Sequence, residues 1–120
     1  MTLSKGKEAE NLVIVWLKQQ RFTILEENFR KKCGEIDIIA QKGNVIAFVE
    51  VKSSAANYFN LSHVIVPTKQ RKIIKTAQWY IASHNFSNKI YRFDVALVLY
   101  SGPTSAIEYI PNAFTQEFEQ

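Results

Sequence analysis

The stretch Gly34-Glu35-Ile36-Asp37-Ile38-Ile39-Ala40, followed shortly by Ala47-Phe48-Val49-Glu50-Val51-Lys52, constrains the fold of this chain more than any other. Each run alternates with the period of two of a β-strand. In the first, Ile36, Ile38 and Ala40 fall on one face and Glu35, Asp37, Ile39 and Gln41 on the other. In the second, Val45, Ala47, Val49 and Val51 oppose Ile46, Phe48, Glu50 and Lys52. Between them stands Gly43-Asn44, a two-residue hairpin signal. A loop of those two residues sets Asp37 opposite Glu50 and Glu35 opposite Lys52, with Cβ atoms about 4.5–5.5 Å apart. Any other loop with an even residue count keeps both carboxylates on one face but slides them apart. Charged side chains are rarely buried unless paired or bound to a metal, and two facing carboxylates require a cation or a raised pKa. The expectation is a divalent-metal site for phosphodiester chemistry. Asp37 and Glu50 would ligate Mg2+ (or Mn2+), and Lys52, on the same strand face, would point at the attacking water or the charged transition state.

The flanking segments supply a core. Residues 6–20 read as a helix whose buried stripe is Ala9, Leu12, Val13, Trp16 and Leu17, with Ile14 and Val15 outside it. Glu10 falls at the border of that stripe, where a solvated glutamate is the plain alternative to a site residue. A first strand is expected over Phe22–Phe29, then a turn through Arg30-Lys31-Lys32, three cations placed to touch a phosphate backbone beside the acidic hairpin. Residues 53–66 read as a loop containing His63, which has no spaced metal partner. Pro67-Thr68 opens a second helix with Thr68 as N-cap and Ile73, Ala77, Tyr80, Ile81 and His84 on its inner stripe. Its first turns carry Lys69, Gln70, Arg71, Lys72 and Lys75. Cations there oppose the helix macrodipole, which suggests that positive charge is wanted at that end; a lysine-rich solvent face explains them equally well. A long strand over Ile90–Tyr100 carries Asp94, either a third strand carboxylate of the site or the partner of Arg92 or Lys89. Ser101-Gly102-Pro103 reads as a turn, Ala106–Ile110 as a short last strand, and Phe114 as a core anchor.

The chain has 120 residues, 47% hydrophobic and 22% charged, which predicts one globular domain over 1–120 with an ordered core over about 6–114 and a tail at 115–120. The net charge of +4 and pI near 9.2 are compatible with a polyanionic partner without requiring one. One cysteine, Cys33, excludes an intrachain disulfide and a cysteine-cluster zinc site. No apolar run approaches the roughly 20 residues that span a bilayer, and no leader is evident, so no membrane association and a cytoplasmic location are expected. No Ser/His/Asp or Cys/His arrangement and no phosphate-cradling glycine loop competes with the carboxylates.

Asp37, followed thirteen residues later by Glu50-Val51-Lys52 and preceded by a helix glutamate, resembles the PD-(D/E)xK nuclease superfamily. The whole chain is similar to the small bacterial YraN family, generally described as endonuclease-like. The matching pieces are Glu10, Asn28-Phe29-Arg30, Gly34–Ala40, Phe48–Lys52, Lys69-Gln70-Arg71, Arg92-Phe93-Asp94-Val95 and Asn112-Ala113-Phe114, in the family's order. Ile36 occupies the superfamily's proline position, and Ala9 and Val13 stand where the family tends to have Gly and Ala, so Glu8 remains an alternative to Glu10. The resemblance implies an α/β, restriction-endonuclease-like core, a mixed central sheet flanked by helices in the order helix-strand-strand-strand-helix-strand, with kinship to Holliday junction resolvases. It places Glu10, Asp37, Glu50 and Lys52 in the active site, with Glu10 a further metal ligand and Gln70 a supporting residue. The expected activity is metal-dependent hydrolysis of DNA phosphodiester bonds, on branched or damaged DNA. Arg30, Lys31, Lys32, Lys69, Arg71 and Lys72 would contact the nucleic acid, and a resolvase-like activity would favour a homodimer. The alternative is a non-catalytic nucleic-acid-binding or interaction module on the same fold.

Overall fold

A computed structural model describes residues 4–55 and 65–115. Helix α1 (Lys5–Gln19) is followed by β1 (Thr23–Lys31), β2 (Gly34–Lys42) and β3 (Val45–Ser54), then α2 (Pro67–Ala82), β4 (Ile90–Ser101) and β5 (Thr104–Phe114). The five strands form one sheet in the order β1-β2-β3-β4-β5. All neighbours are antiparallel except β3 and β4, which run parallel and are joined across α2. The fold is therefore α/β with a mixed sheet between two helices; the order of elements is the one the resemblance implies, followed by the last strand expected near Ala106–Ile110. Among the described residues no helix is long and apolar enough to cross a membrane.

Two apolar layers hold the helices. Ala9, Val13, Ile14 and Leu17 of α1 pack on Ile38, Ala40, Ala47, Val49, Ala96 and Val98. On the other face, Ile73, Ala77 and Tyr80 of α2 pack on Ile36, Ile39, Ile46, Phe48, Phe93, Val95 and Leu97. Alternation along β3 divides its residues between these layers, which leaves Glu50 and Lys52 on the α2 side beyond Ile46 and Phe48. The α1 stripe lies slightly off the expected one: Ile14 is buried, and Leu12 is exposed. Ser4 caps α1, its hydroxyl accepting from the Lys7 N–H.

The hairpin register is the expected one. Ile38 pairs with Val49 and Lys42 with Val45, so Gly43-Asn44 is the loop. Gly43 has φ 59°, as the first central position of a type II′ turn requires. Several details differ from expectation. Ile36 packs on the α2 side although Ile38 and Ala40 face α1, so the alternation of β2 breaks at Asp37. Asn28, opposite this break, has φ 52°, a conformation asparagine tolerates better than most residues. β1 extends through Arg30 and Lys31, leaving only Lys32-Cys33 as the turn, because both residues pair with the start of β2. Ser53 and Ser54 belong to β3 rather than a loop, while the expected loop around Asn57, Asn60 and His63 lies outside the described residues. Val66, not Thr68, is the N-cap of α2, with Pro67 in the first helical turn, where its fixed φ and missing N–H are harmless. His84 lies just past the helix, where it stacks on Phe86. Gly34 allows α2 to approach β2: a Cβ there would lie 3.0 Å from Thr76 Oγ1 and 3.3 Å from the Lys72 carbonyl oxygen.

β5 is longer than expected, and Asp94 explains why. Its carboxylate is fully buried on the α1 side, takes the Arg92 guanidinium at 2.9 Å, and accepts from the Tyr109 hydroxyl and, at 2.8 Å, from the Asn112 N–H. Asn112 has φ 53° and sits where the β4–β5 register shifts. Asp94 thus satisfies the backbone donor that a bulge exposes, and β5 continues to Phe114, which stacks on Phe93. Removing one partner of a buried, hydrogen-bonded ion pair is strongly destabilising. Asp94→Ala is expected to lose about 3 kcal/mol or more in urea unfolding; a loss below about 1 kcal/mol would show that the bulge does not depend on it.

Candidate active site

β2 and β3 part at one end of their ladder, and the charged residues of the hairpin gather there. The last pair is Ile38–Val49. One residue further, the Asp37 carboxylate accepts the Val51 N–H at 2.8 Å and replaces the carbonyl that a continued ladder would have supplied. Glu50, next on β3, is only 5% exposed and projects from the α2 face of the sheet. Its carboxylate meets Lys69 Nζ at 2.7 Å and lies 3.9 Å from Lys52 Nζ. Lys69 comes from the first turns of α2, which the crossover from β3 brings back over this end of the strand.

A second group adjoins the first. The Asn28 side-chain amide donates to Glu10 at 3.0 Å and to Glu35 at 3.2 Å, and its carbonyl oxygen accepts from Lys7 at 3.1 Å. Glu10 from α1 and Glu35 from β2 are thereby tied together. Lys7 stands 3.6 Å from Glu10, and Arg30 pairs with Glu35 at 3.3 Å. The expected Glu35–Lys52 pairing does not form, because the break at Asp37 turns Glu35 toward α1 while Lys52 stays on the α2 side. Both groups act on Asp37. Burial, then the Glu50 charge, and then those of Glu10 and Glu35 push its carboxyl up to about 7, against the pull of the Val51 N–H. Lys52 is lowered from its usual range, first by its contact with Lys69 and then by burial. Burial also works against the charge of Lys69, but its hydrogen bond to Glu50 holds it above the usual lysine range.

The structure therefore brings Asp37, Glu50 and Lys52 to one place and sets Glu10 within electrostatic reach of Asp37. Gln70 is not among them. Its amide donates to the Ile65 carbonyl at 3.0 Å, and with Arg71 it lines a cleft of about 560 Å3 between α2 and the end of β5. The six expected nucleic-acid contacts separate as well. Lys69 is engaged with Glu50, Arg71 faces the β5 cleft, and Arg30 pairs with Glu35. Lys72 lies against Gly34, close to Lys31 at the end of β1 and Lys32 in the β1–β2 turn. Asp94 faces α1 and belongs to the β5 bulge.

Asn28 is a member of the site that the sequence points to only weakly, as an asparagine in a strand at a position matching the family's Asn-Phe-Arg. Lys69, expected as a nucleic-acid contact, instead pairs with Glu50; its sequence signal is a cation placed against the helix dipole.

The Asp37 environment has a measurable consequence. An acid whose folded pKa is raised destabilises the fold progressively as pH rises from its unfolded value, near 3.8, through about 7. In chelator-treated protein the unfolding free energy should fall over that window. Asp37→Asn, which still accepts the Val51 N–H, should flatten that part of the profile and be more stable than the parent at pH 8 relative to pH 4. Parallel profiles for parent and variant in denaturant titrations would contradict the raised pKa.

Comparison with known proteins gives a consistent set of matches. The sequence model of the uncharacterised protein family UPF0102 matches residues 9–98. A UPF0102 protein of Geobacter metallireducens is 41% identical over 112 residues, covering 92% of each chain. Another from Alkaliphilus metalliredigens is 40% identical over 115 residues, 95% of this chain and 100% of its own. One from Clostridium botulinum strain Kyoto is 43% identical over 113 residues, 91% of this chain and 92% of its own.

Proposed function

The chain belongs to the UPF0102, or YraN, family, and from the carboxylate site in its hairpin we propose that it is a metal-dependent endonuclease hydrolysing DNA phosphodiester bonds, on branched or damaged DNA. The observation that carries this reading is the convergence of Asp37, Glu50 and Lys52 where β2 and β3 part, with Asp37 left short of neutralising charge.

The donor set suits a hard divalent cation. Asp37 and Glu50 offer carboxylate oxygens, and Mg2+ characteristically takes one or two such groups and completes its shell with water and substrate phosphate. Among the described residues no three carboxylate, histidine or cysteine side chains form a ready-made cage. Asp37 and Glu50 would hold the ion, with Glu10 next in reach. The bound ion would neutralise phosphate charge and lower the pKa of water. The chain's own contribution lies in its lysines. Lys69 balances Glu50 in the protein as it stands, and the lowered pKa of Lys52 suits it to take a proton from water; a protonated Lys52 would instead face the charged transition state.

The 2.7 Å Lys69–Glu50 contact also favours a second reading, a non-catalytic nucleic-acid-binding module in which lysine permanently takes the place of the metal. Binding would then weaken with salt and be indifferent to Asp37→Ala.

A cleavage panel of duplex, single-stranded and branched DNA with Mg2+ or Mn2+ separates the two. Cleavage is expected to require metal and to be abolished by Asp37→Ala or Glu50→Ala, with Lys52→Ala slower by about 10²- to 10⁴-fold. Failure to cut any of these substrates with either metal would defeat the nuclease reading.

A further inference from the structure

One flank of α2 has an unusual surface. Trp79 is 59% exposed, the most exposed of the large hydrophobic residues among those described. Lys31, at the end of β1, stands over its ring with Nζ 6.0 Å from the centroid, within cation–π range. Lys72 and Lys75 precede Trp79 by seven and four residues, so all three share one side of the helix. Lys32 adds a further cation at the adjoining turn. No acidic residue occurs anywhere in α2. Among the described residues neither Lys72 nor Lys75 pairs with a carboxylate. Lys69, which touches Glu50, begins the same row one turn before Lys72. The row from Lys69 to Trp79 spans about 15 Å of helix axis at 1.5 Å per residue, the length of about four stacked nucleotides at 3.4 Å each.

An exposed aromatic face within a line of cations suits a partner that carries both flat π surfaces and regularly spaced negative charge. Duplex DNA offers the charge but hides its bases, whereas an unpaired strand offers both. We propose that the Lys31–Lys72–Lys75–Trp79 flank of α2 binds single-stranded nucleic acid, stacking an unpaired base on Trp79. The strand's backbone runs along the lysines toward the Asp37–Glu50 site. This deepens the nuclease reading and rests on it for the direction of the strand: the preferred substrate has an unpaired segment beside the bond to be cut. The stacking surface itself requires no metal.

The test is binding in EDTA, which isolates this surface from the carboxylate chemistry. Trp79 becomes the sole indole reporter in Trp16→Phe, because the chain has two tryptophans. Short oligo-dT is expected to quench that fluorescence and to bind more tightly than a blunt duplex of equal length. In the parent background, with affinity read by anisotropy of labelled oligo-dT, Trp79→Ala should weaken binding about 5- to 100-fold, while Trp79→Phe keeps most of it. Lys72→Ala and Lys75→Ala should each shallow the salt dependence by about 0.7 in log–log slope. Unchanged oligo-dT affinity in Trp79→Ala would overturn the proposal, as would duplex binding equal to that of oligo-dT. A protein that binds oligo-dT in this way and cuts nothing with metal would refute the nuclease reading alone.

Discussion

The hydrogen bond from the Val51 N–H to the Asp37 carboxylate is the interaction on which the site depends. Two antiparallel strands that part leave backbone donors and acceptors without partners, and in a buried setting each carries a penalty of about 1–3 kcal/mol. A carboxylate at the point of parting satisfies the donor and lets β2 change the face it presents. Ile36 then joins the α2 layer, Ile38 stays in the α1 layer, and Glu35 turns toward Glu10. The same bond draws a charged group among three other carboxylates, which the fold tolerates only by raising the Asp37 pKa. Structural role and chemical tension reside in one side chain.

Much of this architecture was legible in the sequence because its signals were local. Period-two alternation located β2 and β3, Gly43-Asn44 set their register to the residue, and the stripes of the two helices identified both apolar layers. What the sequence hid depended on departures from regularity. An alternation rule cannot foresee its own break, so Ile36 and Glu35 were assigned to the wrong faces. Nor could it find the bulge at Asn112, since the residue that stabilises it, Asp94, lies eighteen positions away and looked like another strand carboxylate. Thr68 resembled an N-cap by composition, but Pro67 already satisfied the geometry of the first turn. The convergence of Asp37, Glu50 and Lys52 was visible because it follows from register; the arrival of Lys69 was not, because it depends on how the crossover returns α2 to the sheet.

Two aspartates, Asp94 buried and Asp37 half-buried, illustrate how similar signals separate by environment. Asp94 is surrounded by donors: the Arg92 guanidinium, the Tyr109 hydroxyl and the Asn112 N–H. Among the described residues Asp37 has one donor and three carboxylate neighbours. A carboxylate with every lone pair engaged has no capacity left for a ligand and serves as a fixed anchor. One held near like charges has capacity and an unmet electrostatic demand, the condition under which perturbed groups mark functional sites.

The cations of α2 follow the same logic in reverse. Positive charge in the first turns of a helix opposes the macrodipole by some tenths of a kcal/mol per group, so its presence calls for compensation. For Lys69 the compensation is visible, a 2.7 Å contact with a buried glutamate. Lys72 and Lys75 lie beyond the first turn, where the dipole matters less, and no carboxylate among the described residues pairs with either. Solvent alone would suffice if these lysines were scattered, but they lie on one flank, beside an exposed tryptophan and the cations of the β1–β2 turn. A charge arrangement that the fold does not need, continuous with one around Glu50, is what the proposed single-stranded ligand would require.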